Sequence, residues 1–263
     1  VGLSLEPADW QAVIRICRTL EGTPLGIELA APWVRVLSCA DIATEIERDY
    51  DFLSSSQRDT PERHHSLRAV FQHSWRLLTK REQDTFQRLS VFPGGCSREA
   101  ASQVAGASLA NLSALVDKSL VRCDASGRYS LHQVLKQYAA EKLAESPPEE
   151  QETRARQAAY YLDLLWEKGE ALKGRDQRVA LSLLEKEVAN LRVAWQYALT
   201  AGDWDRIRHS VLALALFGEM GLSKPEQGEA IRATLAAVRA AIAREGPDTI
   251  LNSLLALLLA VRR

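Results

Sequence analysis

Two adjacent prolines near the middle of the chain constrain its fold more than any other feature. The segment Ser146-Pro147-Pro148-Glu149-Glu150 interrupts a helical pattern, because proline lacks an amide hydrogen and disfavours helical angles in the residue before it. The segment therefore predicts an extended linker between two parts of the chain. The part after it predicts helices only, whereas the part before it contains a change of period.

That change of period predicts a short β-hairpin in the N-terminal part. Leu120–Cys123 and Arg128–Leu131 flank Asp124-Ala125-Ser126-Gly127, whose residue types favour a tight turn. Apolar periodicity predicts helices around the hairpin. Three of the helices before the hairpin, the hairpin and the helix after it together predict a winged-helix domain. The predicted helices are Ser66–Leu78, Lys80–Val91, Ser97–Ala105, Leu109–Lys118 and His132–Ala144.

The first sixty residues predict a smaller helical bundle. A helix over Pro7–Leu20 has Gly22 suited to its C-terminal cap. A second helix starts near Leu25 and is expected to kink at Pro32. A third helix covers Asp41–Asp49. The apolar residues that indicate the first helix by recurring at intervals of three and four are Trp10, Val13, Ile14, Cys17 and Leu20.

The C-terminal part predicts helices arranged as antiparallel pairs, with small residues such as Ala198, Ala201 and Gly202 where neighbouring helices approach. This array resembles tetratricopeptide-type repeats. The predicted fold class is mainly α: a helical bundle and a winged-helix domain with a short β-hairpin, followed by an α-solenoid. The predicted domains are residues 1–62, 63–146 and 147–263. The predicted repeat helices are Gln151–Leu172, Arg178–Thr200, Trp204–Glu219, Glu226–Arg244 and Thr249–Val261.

Charge and composition favour a cytoplasmic protein without a membrane span. Lys plus Arg number 33 against 34 for Asp plus Glu, and neither side of Ser146 carries a basic excess. This balance argues against a dedicated nucleic-acid binder. The four cysteines lack metal-ligand spacing and are expected to be buried free thiols. Val1 opens the chain and Met220 is its only methionine, so we expect a piece of a longer protein.

The sequence does not predict an enzyme. A phosphate-binding loop of the form Gly-x-x-x-x-Gly-Lys-Ser/Thr does not occur, and no acidic residue closes an apolar strand as a magnesium ligand would. His64 and His65 have no second ligand pair nearby, and nothing local to Cys96 would lower the pKa of its thiol. We therefore predict no catalytic residue, no metal site and no cofactor in this chain.

Several motifs in a fixed order resemble the STAND class of signal-transducing ATPases, which includes NB-ARC and apoptosome-type proteins. The resemblance begins at the turn Gly22-Thr23-Pro24-Leu25 and extends to about Asp205. It implies that the chain is a regulatory fragment without the ATPase core. The further motifs are LRA at 67–69, SWRLL at 74–78, FQRLSVFPGG at 86–95, LVDKSL at 115–120, YSLHQVLKQY at 129–138, AYY at 159–161 and NLR at 190–192.

The resemblance implies two nucleotide-sensing residues. Pro24 would pack on an adenine base, and His132 would reach the β-phosphate of ADP, with ADP or ATP and magnesium held by the missing core of the parent. Here Leu131-His132-Gln133 replaces the family's Met-His-Asp, so the acidic third position is lost. The structural alternatives are that Pro24 only sets its turn and that His132 only caps its helix.

The implied function is coupling of partner binding to nucleotide exchange and oligomerisation of the parent. The expected partners are an upstream nucleotide-binding domain, an inducer protein or small ligand on the repeats, and a second copy of the chain through Leu254–Leu259. DNA and membranes are not expected partners. The alternative hypothesis is a winged-helix transcriptional regulator that binds DNA. Against it, the helix Leu109–Lys118 offers only Asn111 and Lys118 as polar groups suited to base contact.

Overall fold

The protein is mainly α-helical, as predicted, in a computed structural model that describes residues 7–20, 22, 27, 30–35, 37–48, 67–221, 224–246 and 248–261. These described residues form twelve α-helices, two short 3-10 segments and one two-stranded sheet. The chain divides into two compact units. Unit 1 comprises Val1–Ser90 and Ser108–Ser146, and unit 2 comprises Val91–Ala107 and Pro147–Arg263. The predicted domain boundaries stay predictions.

The elements of unit 1 begin with a pair of packed helices. They are α1 (Pro7–Thr19), a 3-10 segment (Ala31–Arg35), α2 (Cys39–Arg48), α3 (Leu67–Arg76), α4 (Lys80–Arg88), α6 (Leu109–Asp117), β1 (Arg122–Cys123), β2 (Tyr129–Ser130) and α7 (Gln133–Ala144). The elements of unit 2 are a 3-10 turn that starts in unit 1 (Leu89–Val91), α5 (Arg98–Ala105), α8 (Pro147–Ala171), α9 (Gln177–Ala201), α10 (Trp204–Gly221), α11 (Lys224–Glu245) and α12 (Thr249–Val261).

Helix α1 packs on α2 through part of its apolar surface. Ala12, Ile16 and Leu20, spaced four apart, are buried. Trp10 and Ile14, on a second apolar stripe, are 55% and 44% exposed. Both stripes have helical spacing, and the position of α2 decides which one is covered.

The predicted ends of these first helices are partly confirmed. Gly22 has a φ of 66° and donates its N–H to the Cys17 carbonyl at 2.8 Å, as expected for a helix-terminating glycine. The expected kink at Pro32 is a 3-10 segment, Ala31–Arg35. Helix α2 starts two residues earlier than predicted, at Cys39, with the Ser38 hydroxyl accepting from the Asp41 N–H at 3.1 Å.

The centre of unit 1 is built on α4, which packs on both α6 and α7. Thr79 caps α4 in a reciprocal arrangement, since its hydroxyl accepts from the Glu82 N–H while the Glu82 carboxylate accepts from the Thr79 N–H at 2.7 Å. Phe86 and Tyr138 are buried, and the Trp75 ring lies about 6.1 Å from each. This aromatic cluster joins α3, α4 and α7.

The predicted hairpin is confirmed, with two paired residues in each strand. Arg122 pairs with Ser130 and Cys123 with Tyr129. Asp124 closes the turn because its carboxylate accepts from the N–H groups of Ser126 and Arg128, at 2.8 and 3.0 Å. Helix α7 follows directly, so the hairpin sets where α7 begins.

The predicted extended linker at residues 146–150 is wrong. Helix α8 begins at Pro147 and continues without a break to Ala171. Proline is favourable in the first helical turn because its missing amide hydrogen would have no partner there and its φ is already helical. Glu149 and Glu150 lie in the same first turn, where the helix dipole stabilises negative charge.

Unit 2 is an array of helices in which α8 and α10 each contact the two helices that follow them in the chain. Helix α8 packs on α9 and α10, and α10 packs on α11 and α12. At the α8–α10 crossing, a Cβ added to Gly169 would lie 2.8 Å from the Ala213 Cβ. This glycine allows the two backbones to approach, a role that the sequence reasoning assigned to Ala198, Ala201 and Gly202 instead.

The apolar face of α12 is covered within unit 2. Leu251, Leu254 and Leu258 are buried, and α12 packs on α10 and α11. The expected contact of Leu254–Leu259 with a second copy of the chain therefore has less exposed apolar surface than predicted, although Leu259 is 44% exposed. Within the part of the chain that the structure describes, no helix is both long and apolar enough to cross a bilayer.

Candidate functional site

His132 lies at the junction of the hairpin and α7 and caps that helix. Its Nδ1 accepts a hydrogen bond from the Val134 N–H at 3.1 Å. An accepting Nδ1 carries no proton, so the neutral ring presents its N–H at Nε2. Helix capping by His132 is the structural alternative given in the sequence analysis. The capping bond uses one of the two ring nitrogens of His132.

The electrostatics of this junction keep His132 neutral at physiological pH. Burial and the nearby positive charge of Arg122 lower the pKa of His132 to about 4. One turn later on α7, burial lowers the pKa of Lys136 to about 8. A helix N-terminus, a neutral imidazole and an arginine can together meet an anion by hydrogen bonding and dipole attraction. The inherited phosphate role of His132 is not tested by these contacts and stays a prediction.

Pro24, the second predicted sensing residue, lies outside the described residues. Its proposed packing on an adenine base also stays a prediction. The structure therefore does not bring the two predicted site residues together or separate them.

Helix α6, the counterpart of a base-reading helix, uses its polar groups within unit 1. The Lys118 Nζ lies 2.6 Å from Glu82 Oε1, and this contact with Lys118 lowers the pKa of the Glu82 carboxyl. The Asn111 Nδ2 donates to Thr85 Oγ1 at 3.4 Å. Both groups tie α6 to α4. The exposed residues of this helix are Leu109, Ala110, Ser113 and Asp117. Ser113 supplies one hydroxyl, and none of the four has the bidentate donors of Arg, Lys, Asn or Gln that read purine edges.

Two arginines, Arg122 and Arg128, flank the turn of the β-hairpin. Arg122 is exposed and Arg128 is half-buried. Arg122 begins β1 and Arg128 directly precedes β2, and because each strand has only two residues, both arginines lie close to the turn. Cationic side chains on such a projection suit contact with a phosphate backbone better than contact with base edges. Cys123, expected to be buried, is exposed beside them, while Cys39 and Cys96 are buried as expected.

A buried polar cluster in unit 2 was not predicted from the sequence. The Nδ2 of Asn190 on α9 lies 2.9 Å from the Gly95 carbonyl, 3.0 Å from Tyr161 Oη and 2.7 Å from Glu187 Oε2. The Asn190 side chain is completely buried. The carbonyl of Asn190 accepts from the Gln157 side chain at 3.1 Å. An asparagine between apolar residues of a long helix was the available signal for this cluster.

The cluster fixes the segment Val91–Ala107 to helices α8 and α9 of unit 2. Besides the bond to Gly95, the Phe92 and Tyr161 rings lie 6.2 Å apart, and α5 packs on α8. In sequence, this segment lies between elements of unit 1. The backbone therefore passes between the two units after Ser90, after Ala107 and after Ser146.

Metal and acid–base chemistry find little support in the described ranges. They contain no group of three or more His, Cys, Asp or Glu placed to hold a metal ion. Near the start of α10, Arg206 lies 2.8 Å from Asp203 and 3.3 Å from Asp163, so these opposite charges neutralise one another. The prediction that the chain is not an enzyme stays a prediction.

Comparison with known proteins places the chain beside transcriptional regulators. A Mycobacterium tuberculosis protein named provisionally as an HTH-type transcriptional regulator is 36% identical over 211 residues, and a Mycobacterium bovis protein of the same name matches equally. The match covers 76% of this chain and 24% of each relative, so the chain spans about a quarter of their length.

A second Mycobacterium tuberculosis protein, named as uncharacterized, is 35% identical over 143 residues, which are 50% of this chain and 36% of that protein. No protein-family model and no solved structure matches the chain.

These relatives correct two predictions. They are named as HTH-type transcriptional regulators, so the assignment to STAND or NB-ARC signalling ATPases was wrong, whereas the coarser description of a bacterial regulator is compatible with them. The exclusion of DNA as a partner was also wrong, because transcriptional regulators act on DNA. Charge balance in a segment that matches about a quarter of each relative does not limit the charge of the rest of those proteins.

Proposed function

We propose that this chain is part of a DNA-binding transcriptional regulator and serves as its helical regulatory segment. The observation that supports the proposal is the 36% identity over 211 residues to relatives named as HTH-type transcriptional regulators. The helical fold with a hairpin is consistent with that similarity. DNA binding is a property proposed for the whole protein, of which the relatives' lengths indicate that this chain is a part.

Within this segment, we assign contact with DNA to the hairpin and to the phosphate backbone. Asn111 and Lys118 are bonded to α4, and the exposed residues of α6 include no Arg, Lys, Asn or Gln for bidentate base contact. Arg122 is exposed on β1. Phosphate contacts position a protein on DNA, whereas base contacts select the sequence. The proposal therefore gives sequence selection to other parts of the regulator.

Unit 2 is proposed to control this activity. Its segment Val91–Ala107 is continuous with unit 1 at both ends and is bonded to α9 through Asn190. A partner that shifts α9 would therefore also shift the segment Val91–Ala107, which connects α4 with α6 in sequence. The helices of unit 2 are therefore joined to unit 1 through the backbone of Val91–Ala107. Regulation of DNA binding by a partner requires that binding at one site change the other site, and this connection can couple the two.

A salt titration of DNA binding tests the proposal. Fluorescence anisotropy would measure the affinity of the full-length regulator for labelled duplex DNA between about 50 and 200 mM salt. We expect Arg122→Ala to weaken binding to all sequences alike and to reduce the salt slope by about 1. Arg178→Ala is the matched control, because Arg178 is an exposed arginine at the start of α9. Full-length protein without measurable DNA binding would contradict the proposed function.

A further inference from the structure

Unit 2 contains a partly open cavity of about 480 Å³ among α8, α9, α10 and α11. This volume lies in the range of small-molecule sites, roughly 300 to 1,000 Å³. Its walls are mainly apolar, with Leu191 and Trp195 on α9 and Leu214 and Phe217 on α10. Aromatic and leucine side chains of this kind cover the body of an apolar ligand.

The wall of the cavity is fixed by hydrogen bonds. Trp195 Nε1 donates to Thr234 Oγ1 at 2.8 Å, and the Thr234 hydroxyl donates to the Ala230 carbonyl at 2.7 Å. Thr234 is completely buried and Trp195 is 5% exposed. The indole ring therefore has one orientation set by α11. On the same helix, Ala230 and Ala233 line the cavity with methyl groups only, which leaves its volume open.

Polar groups are placed at one side of this apolar space. Arg192 and Gln196 both line the cavity, are one turn apart on α9, and are exposed. Residues four apart share a helix face, so their heads lie on the same side. A guanidinium has five N–H donors in a planar fork that suits a carboxylate, and an amide supplies two more donors. None of the described lining residues is acidic.

We propose that this cavity binds a small organic anion with an apolar ring or chain. The apolar body would lie against Trp195 and Phe217, and the anionic group would be bound by Arg192 and Gln196. Acidic lining residues would repel the anionic group of the ligand, and a purely apolar lining would not distinguish an anionic ligand from a neutral one. The site goes beyond the proposed DNA binding, and ligand binding can be measured on the 263-residue chain alone.

Two fluorescent probes with the same rings test the proposal. Anilinonaphthalene sulfonate carries an anionic group, whereas N-phenyl-1-naphthylamine lacks it. We expect the chain to bind each at one saturable site. Arg192→Met is expected to weaken sulfonate binding roughly tenfold, as for the loss of one charge-assisted hydrogen bond, and to change binding of the neutral probe less than about twofold. Arg239→Met on α11 is the matched control, since Arg239 is exposed and does not line the cavity.

A second variant tests the location. Ala233→Phe places a ring in the cavity from an exposed position, and we expect both probes to bind at least roughly tenfold more weakly. Circular dichroism would establish that each variant is folded. The proposal is overturned if Arg192→Met affects both probes equally, if Arg239→Met weakens the sulfonate as much as Arg192→Met does, or if a folded Ala233→Phe variant binds both probes like the unchanged chain. Since Arg192 is exposed, its test stands even if Ala233→Phe does not fold.

Discussion

The two units use asparagine in opposite ways. In unit 2, Asn190 is completely buried and its Nδ2 lies near three acceptors, one of them 95 residues away in sequence. In unit 1, Asn111 is half-buried and makes one bond of 3.4 Å to Thr85. Unit 1 is organised largely by caps and a turn, which are local in sequence, whereas unit 2 depends on buried polar bonds and close helix crossings. The difference predicts where substitutions will cost most.

The largest expected effect is at Asn190. Asn190→Ala removes a completely buried donor that lies within hydrogen-bond distance of three acceptors, so we expect a loss of roughly 3 kcal/mol in stability. Hydrogen exchange of the α8 and α9 amides would measure the loss within unit 2. Asn111→Ala is the control in unit 1 and is expected to cost less than about 1 kcal/mol. Equal costs at the two asparagines would remove the proposed difference between the units.

Gly169 tests the close crossing of α8 and α10. Gly169→Ala would place a Cβ 2.8 Å from that of Ala213. Overpacking should outweigh the helix preference of alanine, which favours the substitution by about 1 kcal/mol, and we expect a net loss of roughly 2 kcal/mol. Gly174→Ala is the control, because its nearest contacts would be 3.9 Å away. Urea unfolding of both variants would measure the difference, and a stabilised Gly169→Ala would show that the crossing has room.

His132 tests unit 1 through pH. An unfolded histidine binds a proton near pH 6.5, whereas folded His132 binds one only near pH 4. As the pH falls between these values, the unfolded state takes up the proton first, so stability declines. His132→Asn keeps a capping side chain but removes this titration. We expect the wild-type chain to lose about 1 to 2 kcal/mol more than His132→Asn between pH 7 and pH 4.5. Parallel losses in the two proteins would contradict the neutral, capping role of His132.

The smallest expected effect concerns the wall of the cavity. Thr234→Val keeps the shape of the side chain but removes the acceptor for Trp195 Nε1. We expect a loss of about 1 kcal/mol, because the indole N–H is then buried without a partner. Thermal unfolding would measure it, with Thr200→Val as the control, since the Thr200 hydroxyl bonds only within its own exposed turn. A larger loss in the control would show that the indole bond does not stabilise the wall.

Local signals made much of the fold predictable. Ser97 and Ser108 cap α5 and α6 through bonds of 3.1 Å to the third residue along, and the hairpin turn follows from Asp124 and Gly127. Local signals were less informative where packing decides the outcome. Helix α2 determines which apolar stripe of α1 is buried, and Pro147 is compatible with both a helix start and the extended linker that was predicted there.

The candidate sites were less predictable than the fold. The capping bond of His132 was foreseen as an alternative, but the contacts of Asn190 join residues far apart in sequence. The cavity needs four helices at once. No periodicity within one helix indicates that Arg192, Phe217 and Ala233 surround the same space. Long-range arrangements of this kind appear only when the packing is known.

Selection of random duplex DNA by the full-length regulator tests the central claim most directly. After several rounds at physiological salt, the proposed function predicts enrichment of one common sequence, bound at least roughly a thousandfold more tightly than unselected DNA. Recovery of unrelated sequences, all bound equally weakly, would contradict the claim that this chain belongs to a DNA-binding transcriptional regulator.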